Sequence, residues 1–230
     1  MRIYQNFKET IPEIRRDLVE MGIKVWPQTY QDKDIHGDPN FQTLELQNYV
    51  YTVVHPNGKD LKPSQPWADA EWSERLSGID GEAINPGDAW KLRKEVWTEF
   101  LDRETKDFAY SYSERFAKYN QVEEVIKRLK KDPESRQLFI SVWNPSDSQK
   151  LGGLSRVPCS LGYLIQCRKN QINITYLQRS CDWTTHFIND IYLAYKLQEH
   201  IAVESKHQIG TFTHWIGSLH LFRKDAQGVF

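Results

Sequence analysis

The chain of 230 residues has no long apolar run, no excess of charge of either sign and few cysteines. No stretch approaches the roughly 20 apolar residues that a membrane helix needs, so no contact with a membrane is expected. The 30 basic and 31 acidic side chains leave a formal net charge of −1. A protein that coats nucleic acid needs a basic face, and this balance argues against one.

The three cysteines form no Cys-x-x-Cys pair and have no metal-like spacing. We therefore expect neither a disulfide framework nor a bound metal. Residues 1–13 lack the apolar stretch of a signal peptide. Free cysteines and no leader together favour a protein of the cytoplasm.

The hydrophobic pattern predicts one α+β domain over residues 1–230, a mixed sheet with surrounding helices. One helix is predicted from Thr10 to Gly22 and another from Asn120, with further helices near 67–77 and 88–102. Residues 41–55 are β-rich. From residue 137 onward, LFISVW, LGYLIQC and INITYLQ have strand length, and RKNQ between the last two predicts a hairpin turn. A helix at 190–204 and a strand at 209–222 complete the prediction.

Four short segments carry side chains suited to chemistry, namely Asp132-Pro133-Glu134-Ser135-Arg136, Val157-Pro158-Cys159, Gln178-Arg179-Ser180-Cys181-Asp182 and Gly217-Ser218-Leu219-His220. Each segment alone is a weak signal, since a lone cysteine is more often a small buried apolar residue than a nucleophile. Their order and spacing resemble the thymidylate synthase superfamily and its sister group, the phage deoxycytidylate hydroxymethylases. The resemblance runs from about Tyr112 to Phe222. It implies a thymidylate synthase-like fold that forms a two-fold dimer.

The resemblance implies that Cys159 is the nucleophile of a folate-dependent transferase. Carbon 5 of a pyrimidine is a poor nucleophile. A thiolate that adds to carbon 6 creates an enamine with electron density at carbon 5, which is covalent catalysis. A guanidinium lowers the pKa of such a thiol, and the resemblance gives this role to Arg179. The implied one-carbon donor is 5,10-methylenetetrahydrofolate.

The resemblance also implies how a pyrimidine nucleoside monophosphate is held. Arg179, Ser180 and Arg136 would bind its phosphate by charge-assisted hydrogen bonds. In the family, the arginine equivalent to Arg136 reaches across a two-fold axis into the partner's site, so a homodimer is implied. Lys33 is a fourth candidate phosphate ligand, and His220 would contact the sugar 3′ hydroxyl.

Further roles are implied for residues around the base and the folate. Tyr112 would join the proton-transfer network, and Asp182 would lie on the folate side. Family members carry a glutamate three residues before a helix tryptophan, where it organises water near the base. Asp69 has that spacing from Trp72 and is the predicted counterpart, with Glu71 also near.

Asp190, eight residues after Asp182, is the predicted base-reading residue. Thymidylate synthases have an asparagine at this spacing, whose amide matches N3–H and O4 of uracil. A carboxylate instead accepts from the exocyclic amine of cytosine, which favours dCMP. The pair Asn189-Asp190 at this site also resembles the phage deoxycytidylate hydroxymethylases more closely than the synthases. Two alternatives remain open here, because a shift of one residue would place Asn189 at this position, and either residue could cap the following helix.

Two departures from the synthase pattern favour a hydroxymethyl product over a methyl product. Ser160 follows the nucleophile where synthases usually have histidine, and His186 replaces a glycine, so both would alter the folate pocket. Gln137 replaces a second arginine, and Phe222 replaces a tyrosine that helps to hold the sugar hydroxyl. The loss of that phenol leaves CMP open as a substrate.

The leading hypothesis is therefore 5-hydroxymethylation of dCMP. The alternatives are a CMP hydroxymethylase, a thymidylate synthase or dUMP hydroxymethylase, and a catalytically silent nucleotide-binding homologue. A phage source would place the protein in the host cytoplasm. Val229 and Phe230 are candidates for closing the site.

Overall fold

The computed structural model of the chain describes residues 1–30, 33–151, 156–226 and 228. Its strands are Arg2–Tyr4 (β1), Ile23–Val25 (β2), Thr29–Tyr30 (β3), Lys33–Asp34 (β4), Thr43–Val53 (β5), Phe139–Ser141 (β6), Ser160–Arg168 (β7), Gln171–Asp182 (β8) and Gln208–Phe222 (β9). Its α-helices are Phe7–Met21 (α1), Trp67–Ile79 (α2), Lys94–Trp97 (α3), Tyr112–Ala117 (α4), Gln121–Lys131 (α5) and Phe187–Ser205 (α6).

The main sheet is mixed, as predicted, with strand order β1-β5-β9-β8-β7-β6 and with β2 paired to β5. The pairs β1–β5 and β8–β9 are parallel, and the remaining pairs of this sheet are antiparallel. Strands β3 and β4 form a separate ribbon. The predicted α+β class is confirmed.

One hydrophobic core lies between the sheet and the helices. Ile14 and Leu18 of α1, Leu129 of α5 and Phe187 of α6 are fully buried in it. Each such side chain stabilises the fold by about 1.5–3 kcal/mol relative to exposure. In the described part of the chain, no helix combines the length and the apolar character that a bilayer crossing requires.

Most predicted elements are present, with corrected ends. The hairpin turn joins β7 to β8, and the β-rich residues 41–55 contain a single strand, β5, at Thr43–Val53. The first helix begins after Asn6, whose side chain accepts from Glu9 N, and not at Thr10. Asn120 has a left-handed backbone and makes no capping bond. Residues 88–102 form short 3₁₀ turns around the four-residue helix α3 instead of one helix.

The pairing of β7, β8 and β9 brings three of the four motifs together. Ser160 pairs with Gln178 across β7 and β8. The parallel pair β8–β9 aligns Ser180 with Ser218 and Asp182 with His220. Helix α6 begins five residues after Asp182, so its first turn lies at the same edge of the sheet.

Candidate active site

A cavity of about 460 Å³ opens at this edge of the sheet. Its walls come from β5, β8 and β9, from α2 and α4, and from the first turn of α6. Seven of the predicted site residues line it, namely Tyr112, Cys159, Arg179, Ser180, Asp182, Asp190 and His220. These residues span 109 positions of sequence, so it is the fold that brings them together.

Cys159 is held at the cavity wall by Arg179 of β8. The backbone N–H of Arg179 donates to the Cys159 carbonyl at 2.8 Å. The guanidinium donates to the carbonyl oxygens of Pro158 at 2.9 Å and Val157 at 3.3 Å. Arg179 therefore orients the segment that carries the thiol, and its side chain also faces the cavity.

The thiol of Cys159 is not activated in the single chain. Burial raises its pKa, while the positive charges of Arg179 and Arg156 oppose this effect. The expected depression of the thiol pKa is therefore wrong for the isolated subunit, because burial outweighs the guanidinium groups. Additional positive charge near the sulfur would favour the thiolate.

Asp190 faces the cavity, and Asn189 does not. Gln178 Nε2 donates to Asp190 Oδ2 at 2.6 Å. The Asn189 side chain instead accepts from Ser64 N at 2.7 Å and donates to the Thr185 carbonyl at 3.2 Å. His186 is the N-cap of α6, so neither residue has the capping role. The alternative in which Asn189 reads the base is therefore wrong.

Tyr112 lies at one end of a chain of hydroxyl groups. Its phenol is 2.8 Å from Ser160 Oγ, which is 2.6 Å from the phenol of Tyr176. The guanidinium of Arg75 lies 3.9 Å from the centre of the Tyr112 ring. Ser160 is fully buried and does not line the cavity, so it can influence the folate pocket only through these tyrosines.

The predicted sugar end of the cavity is formed by β9 and β5. His220 Nδ1 lies 3.3 Å from Ser218 Oγ, which donates to Glu45 at 2.6 Å. Burial lowers the pKa of His220, opposed by the charge of Asp182, so the ring is neutral. The Phe222 ring packs edge-on against His220 at 5.1 Å and lines the cavity without a hydroxyl.

An aromatic wall forms the opposite side of the cavity, from Trp90, Trp97, Phe108 and Tyr110. The indole N–H groups of Trp90 and Trp97 are buried and have no partner among the described residues. Flat aromatic rings suit stacking against a flat heterocycle, so this wall fits a folate ring. His186 stacks obliquely on Trp97 at 5.8 Å and also faces the cavity.

Asp69 is outside the cavity, contrary to prediction. It is exposed on α2, where its Oδ1 accepts from Tyr192 at 2.7 Å. Glu71 and Glu74 of the same helix line the cavity instead. Glu71 pairs with the buried Arg75 at 2.9 Å. Glu71 and Glu74, and not Asp69, are therefore the acidic residues of α2 that face the cavity.

Two predicted phosphate ligands also lie outside the cavity. Lys33 forms an ion pair with Glu99 and does not line the cavity. Arg136 is exposed near the sheet edge and does not reach the cavity of its own subunit. Val229 and Phe230 lie outside the described residues.

The cavity-lining residues that the sequence reasoning missed include Arg75, Arg156 and Glu45. The four-residue spacing of Glu71 and Arg75 on a predicted helix is the signal that could have identified that pair. Arg156 precedes the nucleophile by three residues, and its guanidinium lies 4.4 Å from the centre of the Phe100 ring.

Comparison with known proteins agrees with this site. The family model for thymidylate synthase matches residues 85–229. A "putative thymidylate synthase" of Methanothermobacter thermautotrophicus is 28% identical over 209 residues, covering 87% of this chain and 89% of that protein. The thymidylate synthase of Mycoplasma genitalium is 25% identical over 214 residues, covering 92% of this chain and 59% of that protein. The structure of thermostable thymidylate synthase A from Bacillus subtilis matches with a TM-score of 0.75 and 20% identity, covering 98% of this chain and 83% of that one, which shows the shared fold.

The chain belongs to the thymidylate synthase family. Enzymes of this family act on a pyrimidine nucleotide and use methylenetetrahydrofolate as co-substrate, and the chain is a transferase of this kind. The relatives named above are thymidylate synthases, so they do not support the closer resemblance to deoxycytidylate hydroxymethylases.

Proposed function

We propose that the chain is a 5-hydroxymethylase of dCMP. The observation that carries this proposal is the carboxyl of Asp190 at the cavity wall, at the spacing where synthases have an amide. An ionised carboxylate only accepts hydrogen bonds. It matches the exocyclic amine of cytosine and faces lone pairs at O4 of uracil. An unpaired buried acceptor of this kind costs about 1–3 kcal/mol.

In this proposal Cys159 attacks carbon 6 of the base. Arg179 and Ser180 bind the phosphate, and the charge of the guanidinium favours the thiolate. The methylenetetrahydrofolate that binds against Trp90 and Trp97 supplies the one-carbon unit. Tyr112, whose hydroxyl is hydrogen-bonded to Ser160 behind it, holds the water and proton network at carbon 5.

The product is decided by what reaches the new one-carbon group, hydride or water. His186 supports water as the acceptor, because it places a neutral polar ring between Asp190 and Trp97. Burial lowers the pKa of this imidazole, and the charge of Asp190 opposes that effect. The ring makes no hydrogen bond to another described side chain, so it remains available to hold a water molecule.

The phosphate site is complete only in a two-fold homodimer, in which Arg136 of each subunit enters the cavity of the other. Two observations support this part of the proposal. Arg136 is exposed and outside its own cavity. Leu164, Leu177 and Trp215 alternate with the core residues of β7, β8 and β9, so they form a half-buried apolar patch on the opposite face of the sheet.

Thymidylate synthesis from dUMP is the second candidate. The names of the relatives favour it over dCMP hydroxymethylation. CMP is a further candidate substrate, because Phe222 provides no phenol at the sugar end. Glu45 and Ser218 line the cavity there and could meet an additional sugar hydroxyl.

A substrate panel distinguishes these functions. The protein is incubated with methylenetetrahydrofolate and each of dCMP, CMP, dUMP and UMP, and the masses of the nucleotides are measured by mass spectrometry. We expect dCMP to gain one CH₂O unit and Cys159→Ser to abolish that gain. Conversion of dUMP with gain of CH₂, without reaction of dCMP, would establish thymidylate synthesis instead. Binding of nucleotides without any product would indicate a silent homologue.

A further inference from the structure

A chain of four hydrogen-bonded side chains, which we call the relay, leads from β5 to the carboxyl of Asp190. The Tyr51 hydroxyl lies 3.1 Å from His214 Nδ1. His214 Nε2 lies 3.0 Å from Gln178 Oε1. Gln178 Nε2 donates to Asp190 Oδ2 at 2.6 Å. Tyr51, His214 and Gln178 are all fully buried, so water cannot replace the two bonds that join these three residues.

Only one direction of donation satisfies every member of this relay. Tyr51 has no other hydrogen-bond partner among the described residues, so its O–H must donate to His214 Nδ1. Burial lowers the pKa of His214 to about 3, so the ring is neutral and carries its single proton on Nε2. That N–H donates to Gln178 Oε1 and leaves the amide N–H of Gln178 facing Asp190. The reverse direction would leave the Tyr51 hydrogen unpaired in the core.

We propose that Tyr51 and His214 are positioning residues that act through Gln178 to hold the Asp190 carboxyl as a hydrogen-bond acceptor, so that the site selects the amino group of cytosine over the carbonyl group of uracil. This inference rests on the proposed function. If Gln178 could rotate, its carbonyl would face Asp190 and a protonated carboxyl would donate to it. The hydrogen of the carboxyl is then taken by Gln178, so the carboxyl carries no negative charge, no longer repels O4 of uracil and forms only a neutral hydrogen bond with the cytosine amine.

The ionisation of Asp190 depends on this N–H donor. Burial raises the pKa of the carboxyl, and His186 and the Gln178 hydrogen bond are the main effects that oppose it. The other titratable or charged groups around the carboxyl are Arg75 of α2, Cys181 and Tyr176 of β8, Tyr163 of β7, Cys159, Tyr112 of α4 and Arg93. The relay itself contributes no charge, since the only effect on the pKa of His214 is burial. Breaking the relay therefore changes the orientation of Gln178 without removing a charged group.

The test compares Tyr51→Phe and His214→Phe with a matched control, Tyr49→Phe. Tyr51→Phe removes one oxygen and retains the edge-on ring contact with His214. His214→Phe retains a ring that can stack on Tyr176, which lies 4.6 Å away. Tyr49 is on the same strand as Tyr51, but its hydroxyl donates to Asp17 and has no link to Asp190.

Binding of dCMP and dUMP is measured without folate over a range of pH, together with kcat/KM for both. We expect the preference for dCMP over dUMP to fall about tenfold or more in both relay variants, the scale of one hydrogen bond to a charged group. The affinity for dCMP should begin to fall at a higher pH on acidification, because the Asp190 carboxyl protonates more easily in these variants. Tyr49→Phe should change neither quantity.

Circular dichroism shows whether Tyr51→Phe folds. A folded Tyr51→Phe protein that keeps the wild-type preference for dCMP over dUMP and the wild-type pH dependence of dCMP binding would overturn the relay role. This single-oxygen variant decides the question even if His214→Phe does not fold. A wild-type protein that prefers dUMP would overturn the proposed function and the inference together. A wild-type preference for dCMP with unchanged variants would overturn the inference alone.

Discussion

Asp190 is a carboxyl in the first turn of a helix, where its charge is favourable, but it is also buried in the cavity wall. Burial raises its pKa above the usual value of an aspartate. A raised pKa in the folded state means that the fold is destabilised as pH rises from the unfolded value through the folded value. This loss in the free energy of unfolding arises at the residue to which the proposed function assigns base reading.

Replacing Asp190 by asparagine should therefore stabilise the protein at neutral pH. The expected gain in the free energy of unfolding is about 0.5–2 kcal/mol, the usual scale of a single stabilising substitution. The sign follows from linkage: the gain is absent where both states hold the proton, and it grows as pH rises through the folded pKa. Urea unfolding at a series of pH values measures it.

Asp69→Asn is the matched control, because Asp69 is an exposed carboxyl on α2. Its effect should stay within about 0.5 kcal/mol at each pH. Equal pH profiles for Asp190→Asn and the wild type would show that the buried carboxyl carries no such cost. The same variant should bind dUMP better than the wild type does, since an amide can satisfy both N3–H and O4.

The sequence predicted residues that line the cavity where a motif could be matched residue by residue. Cys159, Arg179 and His220 are examples, because each lies within a segment that has its own fixed pattern. The prediction that Asp69 lies in the site was wrong, because the spacing to Trp72 does not determine which face of the helix lines the cavity. The relay residue His214 was invisible for a different reason: in sequence it is one buried position of a strand, and its partners are 36 and 163 residues away.

At the scale of elements, the parallel pair β8–β9 is what assembles the site. The strands that carry the Arg-Ser-x-Asp and Gly-x-x-His motifs were predictable as strands, but their pairing was not. A parallel pair requires a crossover, here α6, and local sequence does not encode which strands it joins. The irregular region 88–102 was mispredicted as one helix, because its apolar residues serve the aromatic wall instead of a helical stripe.

Gly217 is the position where β9 allows β8 to approach. A Cβ atom built there would lie 2.7 Å from the backbone carbonyl oxygen of Arg179. Gly217→Ala should therefore displace the backbone of Arg179 and Ser180. We expect a loss of about 1–3 kcal/mol in the free energy of unfolding, as for overpacking elsewhere, and weaker binding of the nucleotide phosphate.

Thermal unfolding and titration with dCMP measure both effects. Thr213→Ala, on the same face of the same strand, is the control, because it removes atoms instead of adding them. It should leave dCMP affinity unchanged. Wild-type affinity in a folded Gly217→Ala protein would show that the close approach of the two strands is not needed for phosphate binding.

At the scale of the whole molecule, the proposed function requires more positive charge at the cavity than the single chain supplies. Arg179 is the arginine of the predicted phosphate set that one chain supplies to its own cavity, because Arg136 lies outside it. In the single subunit, burial outweighs the guanidinium charges and keeps the pKa of Cys159 raised. A guanidinium from a second subunit would add positive charge where both the phosphate and the thiolate need it. Dimer formation and activation of the nucleophile would then be one event.

Mixing two inactive variants tests this coupling. In a two-fold dimer of Cys159→Ser and Arg136→Ala subunits, one of the two cavities has both an intact thiol and an intact partner arginine. Random exchange gives about half mixed dimers, so about a quarter of wild-type activity should return. Cys159→Ser mixed with Arg179→Ala is the matched control, because both groups belong to the same subunit's cavity and no cavity of a mixed dimer is complete. Equal activity in the two mixtures would mean that Arg136 does not serve the partner's site, and the thiol would then need another source of positive charge.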